Sequence, residues 1–206
     1  MYTEVLPQST ANLLNRLSQN PQPAEKFYLT GGTALSLHLG HRESEDLDFF
    51  SKESFDPKVL QKKLIDFGIL EDVELDKGTL NCFLNGVKLQ FLHYPYKLLK
   101  KPAKWKRISV SSLIDITCTK LITVSERGDK KDFIDLYVLF KHYSLPYLFK
   151  QLKQKYEKVD YSQTAILKSL VYFEDAEKQP MPRMHIELTW EEVKNEIREK
   201  VKKFKF

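Results

Sequence analysis

The sequence contains few of the residues on which several classes of protein depend. Only two of its 206 residues are cysteine, and Cys82 and Cys118 lie too far apart for a CxxC metal motif. This excludes a disulfide framework and a zinc knuckle, so both cysteines are interpreted as reduced core thiols. No apolar run approaches the roughly 18 residues that a membrane-spanning helix needs. We therefore expect a cytoplasmic protein with no membrane partner.

Positive charge is concentrated in one stretch of the chain. The net charge is only +5, but residues 97–107 contain six basic side chains and no acidic one, with Trp105 among them. Such stretches are usually solvated surfaces, and they also suit contact with a phosphate backbone. With 42% hydrophobic and 12% aromatic residues, the composition is that of a packed protein of one domain or two small ones.

The first half of the chain mixes strand and helix patterns. An apolar run leads into Gly31 and Gly32 and then into a helical pattern, which predicts a strand, a tight turn and a helix. The dipeptide Asn85-Gly86 between two apolar runs is typical of a hairpin. The predicted strands are 27–30, 46–51, 79–84 and 87–94, and the predicted helices are 10–19, 34–39 and 55–67.

The second half is helical throughout. Its predicted helices are 112–127, 131–143, 146–156, 162–173 and 190–204. Thr189 and Glu192 have the spacing of a capping box before the last of them. We therefore predict an α+β fold of two domains, a small mixed sheet with helices in residues 1–108 and a helical bundle in residues 109–206 that closes the active-site cleft.

Two carboxylates form the first candidate site. Asp46 and Asp48 are two residues apart in a predicted strand, so both side chains should leave the same face, with Leu47 and Phe49 facing the core. Adjacent like charges repel, and a divalent cation such as Mg²⁺ between oxygen ligands is the usual solution. The alternative is a solvated pair on an edge strand.

A candidate phosphate site precedes these aspartates. Gly31 and Gly32 lie where a strand turns into a helix, so exposed backbone amides and a helix N-terminus would form an anion nest. Arg42 would neutralise a phosphate there and Ser44 would donate a hydroxyl to it. The alternative is an ordinary tight turn.

Charged residues in the helical half form the third candidate. Lys120 shares a helix stripe with apolar side chains, and an ammonium in that setting needs an anionic partner. Arg127 follows two turns later, and Asp132 and Asp135 lie among aromatic and aliphatic residues of the next helix. Interhelical salt bridges, Lys120 to Asp135 or Arg127 to Asp132, explain the pattern equally well and are compatible with a site.

These motifs together resemble a known family. The string from Leu29 to Leu35 (LTGGTAL), followed by RESEDLDF from Arg42 to Phe49, resembles the glycine turn and R-x-S-x-D-L-D-F motif of polymerase-beta-like nucleotidyltransferases. The later pattern, Leu113 and Asp115 leading to Lys120 and then RGDKKDFIDL from Arg127, is similar to the AbiEii toxin branch. The resemblance covers roughly residues 25–143.

The resemblance implies roles for individual residues. Asp46 and Asp48 would hold Mg²⁺ or Mn²⁺, and Lys120 with Asp135 would complete the catalytic site. The implied phosphate-binding and nucleotide-binding residues are Gly31, Gly32, Thr33, Arg42, Ser44, Lys120 and Arg127, with either Thr33 or Ser44 supplying the hydroxyl. The third metal carboxylate that many of these enzymes take from a later strand is replaced by Gln90.

The implied activity is transfer of a nucleoside monophosphate from a nucleoside triphosphate. The acceptor would be an RNA such as a tRNA 3′ end, bound by the basic stretch 97–107, and the enzyme would be a toxin restrained by a separate antitoxin. Because Gln90 is a weaker ligand than a carboxylate, a nucleotide-binding or RNA-binding module of the same fold without efficient turnover is the alternative. A third hypothesis is an interaction protein whose charged pairs are only structural.

Overall fold

The computed structural model describes residues 1–205, which divide into two compact units. The first unit comprises Met1–Tyr96 and Lys101–Ser112. The second comprises Lys97–Lys100 and the chain from Leu113 onward. Neither unit is one continuous segment, because a short piece of the basic stretch is packed with the later helices. Within the described residues, no helix is both long and apolar enough to span a bilayer.

The first unit contains a mixed sheet. The strands are β1 (Tyr28–Thr30), β2 (Leu47–Ser51), β3 (Leu70–Asp76), β4 (Thr79–Leu84), β5 (Val87–His93), β6 (Ala103–Trp105) and β7 (Ile108–Val110). Across the described chain they form one seven-stranded sheet in the order β3-β4-β5-β2-β1-β7-β6. β1 is antiparallel to β2 and parallel to β7, and β2 is parallel to β5. The α+β prediction is confirmed.

The centre of this sheet is held by apolar side chains. Leu29, Leu47, Phe49 and Phe91 are fully buried on β1, β2 and β5. The Phe49 and Phe91 rings stack with centroids 5.1 Å apart. Burial of a large apolar side chain is worth about 1.5–3 kcal/mol, so this cluster fixes the strands that carry the candidate carboxylates. The helices of the first unit are α1 (Gln8–Gln19), α2 (Gly31–Leu39) and α3 (Pro57–Ile65), after a 3₁₀ turn at Thr3–Val5.

The edges of the sheet differ from the sequence prediction. The hairpin around Asn85 and Gly86 is confirmed, and both residues have positive φ, +51° and +75°. Strand β3 was not predicted, because it is rich in acidic residues and its side chains are mostly exposed. Strands β6 and β7 were also missed. They are only three residues long and lie in and just after the basic stretch, where composition gave no strand signal.

The second unit is a helical assembly around α4 (Leu113–Glu126). Its other helices are α5 (Lys130–Leu139), α6 (Leu145–Lys155), α7 (Gln163–Leu170), α8 (Glu174–Glu177) and α9 (Trp190–Lys202). Helix α4 contacts α5, α6 and α7. The predicted capping box is confirmed, because Glu192 Oε2 accepts from the Thr189 amide at 2.7 Å and Thr189 Oγ1 accepts from the Glu192 amide at 3.2 Å.

A buried ion pair holds Lys97–Lys100 in the second unit. Lys155 Nζ on α6 lies 2.7 Å from Asp115 Oδ1 on α4, and each side chain is only 1% exposed. The Asp115 carboxylate also accepts from the backbone amides of Leu99 at 2.9 Å and Lys100 at 3.2 Å. Lys155 donates to the Lys97 carbonyl at 3.1 Å. One carboxylate therefore fixes two helices and the segment before β6.

Breaking this ion pair should destabilise the protein strongly. Lys155→Met removes the ammonium that neutralises a buried carboxylate, and such a loss costs about 3–5 kcal/mol. The Asp115→Asn/Lys155→Met double variant should recover part of it, because it buries no uncompensated charge. Lys26→Ala breaks an exposed pair with Glu53 at 3.8 Å and should cost less than about 1 kcal/mol. Denaturant unfolding measures all three, and equal losses in the two single variants would contradict the assignment.

The two cysteines should behave as protected thiols. Burial raises the pKa of Cys82 to about 11 and that of Cys118 to about 12. Both thiols therefore stay neutral at pH 8, and the native protein should not react with a thiol reagent until it is unfolded. Above about pH 8.5 the unfolded chain releases thiol protons that the folded chain retains, so the free energy of unfolding falls with pH.

The thiol contribution can be isolated by substitution. Above about pH 8.5 the free energy of unfolding should fall less steeply with pH in a Cys82→Ala/Cys118→Ala variant than in the parent. The difference in slope should be up to about 1.4 kcal/mol per pH unit for each thiol removed. This comparison cancels the titration of lysines and tyrosines, which both proteins share. Rapid labelling of the native protein at pH 8 would show that the thiols are accessible and would refute the prediction.

Candidate active site

The glycine turn lies directly against the side chains that the sequence singled out. Strand β1 ends at Thr30 and α2 begins at Gly31, which has φ +69°. A side chain at Gly31 would overlap the Asp48 carboxylate. A Cβ at Gly32 would lie 2.5 Å from Arg42 Nη2 and 3.1 Å from Ser44 Oγ. The first turn of α2 is therefore surrounded by a carboxylate, a guanidinium and a hydroxyl.

Strand register places Asp48 between two neighbours. It pairs with Thr30 across the antiparallel β1–β2 ladder and with Gln90 across the parallel β2–β5 ladder. Leu47 and Phe49 on either side are fully buried, whereas Asp48 is half-buried. The predicted alternation of core and polar side chains is thus confirmed for this strand.

Gln90 stands beside Asp48, where the resemblance implies a third carboxylate. Its Nε2 donates to Asn81 Oδ1 on β4 at 3.0 Å. This hydrogen bond orients the amide and directs its nitrogen toward Asn81. The remaining amide oxygen is a neutral ligand for a hard cation, weaker than a carboxylate.

Asp46 is held differently from the prediction. Strand β2 begins at Leu47, so Asp46 lies immediately before it rather than within it. The Asp46 carbonyl accepts a hydrogen bond from Thr33 Oγ1. The same hydroxyl lies 2.9 Å from Ser44 Oγ, and Thr33 is only 1% exposed. Thr33 therefore positions the loop that carries Ser44 and Asp46, because its hydroxyl bonds to the Asp46 carbonyl and contacts the Ser44 hydroxyl.

The donor set of this group suits a hard divalent cation. Asp48 supplies a carboxylate beside the turn of backbone amides, with Gln90 in the adjoining register position, and Asp46 lies two residues earlier in the chain. Mg²⁺ is commonly bound by one or two protein carboxylates together with substrate phosphates. Residues 1–205 contain no cluster of three or more His, Cys, Asp or Glu side chains suited to a metal. The carboxylate and amide oxygens present fit the donor preference of such a cation.

The second group of predicted residues lies together in the second unit. Lys120 Nζ on α4 is 2.6 Å from Asp132 Oδ1 and 2.7 Å from Asp135 Oδ2 on α5. Both carboxylates are fully buried. The ammonium offsets part of the repulsion between the two carboxylates, so the three side chains hold each other in fixed positions.

Arg127 extends this cluster toward solvent. Its Nε lies 3.2 Å from Asp132 Oδ2 and 3.5 Å from Asp129 Oδ2, and its side chain is 57% exposed. Both salt bridges considered from the sequence, Lys120 to Asp135 and Arg127 to Asp132, are present. The additional bond from Lys120 to Asp132 was not expected, since spacing alone does not show which carboxylate a lysine reaches.

Comparison with known proteins relates the chain to a family and to a sequence relative. A family model described as nucleotidyl transferase AbiEii toxin, of a type IV toxin–antitoxin system, matches residues 12–102. An uncharacterized protein of Aquifex aeolicus is 40% identical over 184 residues, which cover 86% of this chain and 87% of the relative.

Two solved structures share the fold over nearly the whole chain. JHP933 of Helicobacter pylori matches with a TM-score of 0.58 at 21% identity, covering 96% of this chain and 92% of that one. MenT4, a nucleotidyltransferase toxin of Mycobacterium tuberculosis, matches with a TM-score of 0.55 at 15% identity, covering 97% and 87%. At these identities the similarity establishes a common fold.

The close approach of Gly31 to Asp48 can be tested with a matched pair of glycines. Gly31 and Gly86 both have positive φ, +69° and +75°, but a Cβ at Gly86 would meet nothing within 4 Å. Gly86→Ala should therefore cost only the backbone strain, about 1 kcal/mol. Gly31→Ala adds a collision with the carboxylate and should cost about 1–3 kcal/mol more. Equal losses in thermal unfolding would show that the two groups are not in contact.

Proposed function

We propose that this chain, which belongs to the AbiEii family of nucleotidyltransferase toxins, transfers a nucleoside monophosphate to an RNA acceptor with the help of Mg²⁺. The observation that carries this proposal is the contact between the glycine turn and its polar neighbours. The Asp48 carboxylate meets Gly31, while the Arg42 guanidinium and the Ser44 hydroxyl meet Gly32. A nucleoside triphosphate needs such a combination, since its phosphates are bound both by positively charged side chains and by a metal ion that the carboxylate would hold.

The first turn of α2 would bind the phosphates. Backbone amides at a helix N-terminus point outward and carry partial positive charge, which favours an anion. Because Gly31 and Gly32 have no Cβ, the Asp48 carboxylate, the Arg42 guanidinium and the Ser44 hydroxyl lie close to these amides. Arg42 would contribute charge-assisted hydrogen bonds, and Ser44 would donate its hydroxyl to a phosphate oxygen. Thr33 acts through Asp46 and Ser44 as a positioning residue.

Asp46 and Asp48 would hold the cation. A bound Mg²⁺ neutralises charge on the triphosphate and stabilises the negative charge that develops during transfer. In the reaction an acceptor hydroxyl oxygen forms a bond to the α-phosphorus while the bond to the pyrophosphate oxygen breaks. Pyrophosphate leaves with that electron pair, and the hydroxyl proton is released. The chain's residues contribute by binding and orientation, which supply most of the catalysis in phosphoryl transfer.

Lys120 and Asp135 are included in the proposal. Lys120 would hold triphosphate oxygens, and Asp135 would position it. Support comes from the second unit, where the Lys120 ammonium is fixed within 2.7 Å of two buried carboxylates. A fixed cation stabilises developing charge better than a mobile one, because it needs no reorganisation during the reaction.

RNA is the acceptor class that the surface supports. All six basic side chains of residues 97–107 are exposed, and exposed cations in a stretch that contains no acidic residue suit contact with a phosphate backbone. A tRNA 3′ end would be one such acceptor, and a separate antitoxin would restrain the activity. The specific observation that favours a binding module with little turnover is the amide of Gln90 in the register position beside Asp48.

Label transfer tests the enzymatic proposal. Purified protein is incubated with Mg²⁺, total RNA and each nucleoside triphosphate labelled at the α-phosphorus. Asp46→Asn and Asp48→Asn keep the side-chain volume but lose the charge, so transfer should fall by about 100-fold or more. Asp66→Asn changes an exposed aspartate at the end of α3 and should transfer label as the parent does. Removal of Mg²⁺ with a chelator should abolish transfer.

Two further results decide between the candidates. Binding of a triphosphate by the parent without transfer to any RNA would favour the binding module. Label transfer by Asp48→Asn at the rate of the parent would show that Asp48 is not a metal ligand in the reaction. For Lys120, the charge-conserving Lys120→Arg should keep the fold while lowering kcat more than it raises KM for the triphosphate, and thermal unfolding checks that the buried cluster survives.

A further inference from the structure

A cavity in the first unit is separate from the residues assigned to phosphates and metal. Its volume is about 280 Å³, and its lining includes Leu6, Ala11, Asn12, Asn15, Trp105 and Lys106. Pockets for drug-sized ligands measure about 300–1,000 Å³, so this slightly smaller space has room for only a small group such as a single ring system. The lining combines an aromatic ring, two side-chain amides and an ammonium. These groups stack on a nucleobase, hydrogen-bond to its edge and contact a phosphate.

Lys106 connects the two walls of the cavity. Its Nζ lies 4.8 Å from the centroid of the Trp105 ring and 2.5 Å from Asn15 Oδ1 on α1. The Trp105 ring is half-buried, whereas Lys106 is exposed. The ammonium thus already occupies a cation–π position and an amide contact. A phosphate bound by Lys106 would draw the ammonium away from both Asn15 and the Trp105 ring, which releases the amide and uncovers that face of the ring.

The backbone at Lys106 supports a functional role for this side chain. Lys106 has φ +51° in the two-residue turn between β6 and β7. Glycine or asparagine adopts this conformation more readily, and a lysine there costs about 1–2 kcal/mol. Strain of this kind at a non-glycine residue points to a function for the side chain.

The cavity is connected to the loop that carries the candidate site. The Ser44 amide donates to the Val5 carbonyl at 3.3 Å, and Thr10 Oγ1 donates to the Glu45 carbonyl at 2.9 Å. Thr10 and Asn15 belong to the same helix, and five residues span about 8 Å along its axis. Helix α1 therefore contacts this loop at Thr10 and lines the cavity at Asn15.

We propose that this cavity binds one unpaired nucleobase of the acceptor RNA. Trp105 stacks on the base, Asn12 and Asn15 hydrogen-bond to its edge, and Lys106 contacts an adjacent phosphate. The inference rests on the proposed function, because an RNA acceptor provides the occupant. It adds a subsite that selects single-stranded over paired RNA, since a base within a duplex cannot enter the cavity.

Fluorescence of Trp105 tests this subsite directly. The chain has two tryptophans, so a Trp190→Phe variant leaves Trp105 as the single reporter. Titration with a six-nucleotide oligoriboadenylate should quench its emission to saturation. In the parent background, Trp105→Phe should bind the labelled oligonucleotide within about threefold of the parent, and Trp105→Ala about tenfold or more weakly, as expected for loss of one stacking contact.

Matched variants separate the cavity from general electrostatics. Lys106→Ala should weaken binding more than Lys101→Ala, which removes an exposed lysine of the same stretch that is not part of the cavity lining. Circular dichroism melts of the five variants confirm that they fold. Equal losses from the two lysines, unchanged Trp105 emission with oligonucleotide bound, or no oligonucleotide binding at all would overturn the proposal. Quenching by free adenosine triphosphate alone would overturn it too, by assigning the cavity to a nucleotide.

The inference and the proposed function fail in different ways. If the oligonucleotide quenches Trp105 but no label reaches any RNA, the subsite stands and the transfer reaction does not. If label transfer proceeds and Trp105→Ala leaves KM for the RNA unchanged, the reaction stands and the subsite does not. If both are correct, Trp105→Ala raises KM for RNA and leaves KM for the triphosphate unchanged.

Discussion

The contact between the Gly31 backbone and the Asp48 carboxylate is the constraint on which the candidate site depends. Thr30 and Asp48 face each other in register on β1 and β2, so the residue after Thr30 must pass the carboxylate closely. Any Cβ there would collide with it. The same residue must take a positive φ, +69°, to turn the strand directly into α2. Glycine meets both requirements, and the helix amides consequently begin beside the acid.

Charge plays a different part in the second unit. Asp115, Asp132 and Asp135 are buried carboxylates, and Lys120 and Lys155 are buried amines bonded to them. A buried charge is tolerated only when its partner is in place, so these clusters fix the relative positions of α4, α5 and α6 more specifically than apolar packing does. Substitution of a residue in such a cluster is difficult to interpret, because a variant that loses the charge also loses stability. A charge-conserving substitution separates the effect on activity from the effect on folding.

Local signals predicted the elements that local chemistry determines. The Asn85-Gly86 turn, the Thr189 capping box and the alternation at Leu47, Asp48 and Phe49 were all predicted correctly, because each depends on neighbouring residues. Strands β3 and β6 pair with the strands that directly follow them, but the acidic composition of β3 and the three-residue length of β6 and β7 hide these strands. Strand β7 also pairs with β1, far earlier in the chain, and local patterns do not show that contact. The Thr33 bond to the Asp46 carbonyl was equally invisible, since every residue offers a backbone acceptor and only the fold selects one.

The segment Lys97–Lys100 packs with helices that are synthesised after it, whereas the rest of the basic stretch belongs to the first unit. Ribosomes add about 5–20 residues per second, so α6 emerges several seconds after this segment. Strands β6 and β7 emerge within that interval and can complete the sheet of the first unit. The Leu99 and Lys100 amides donate to Asp115 in the folded chain, and Lys155, which neutralises this carboxylate, is synthesised 40 residues after it. A nascent chain can therefore finish its first unit while the second is still incomplete, and codon usage between residues 113 and 155 would set the length of that delay.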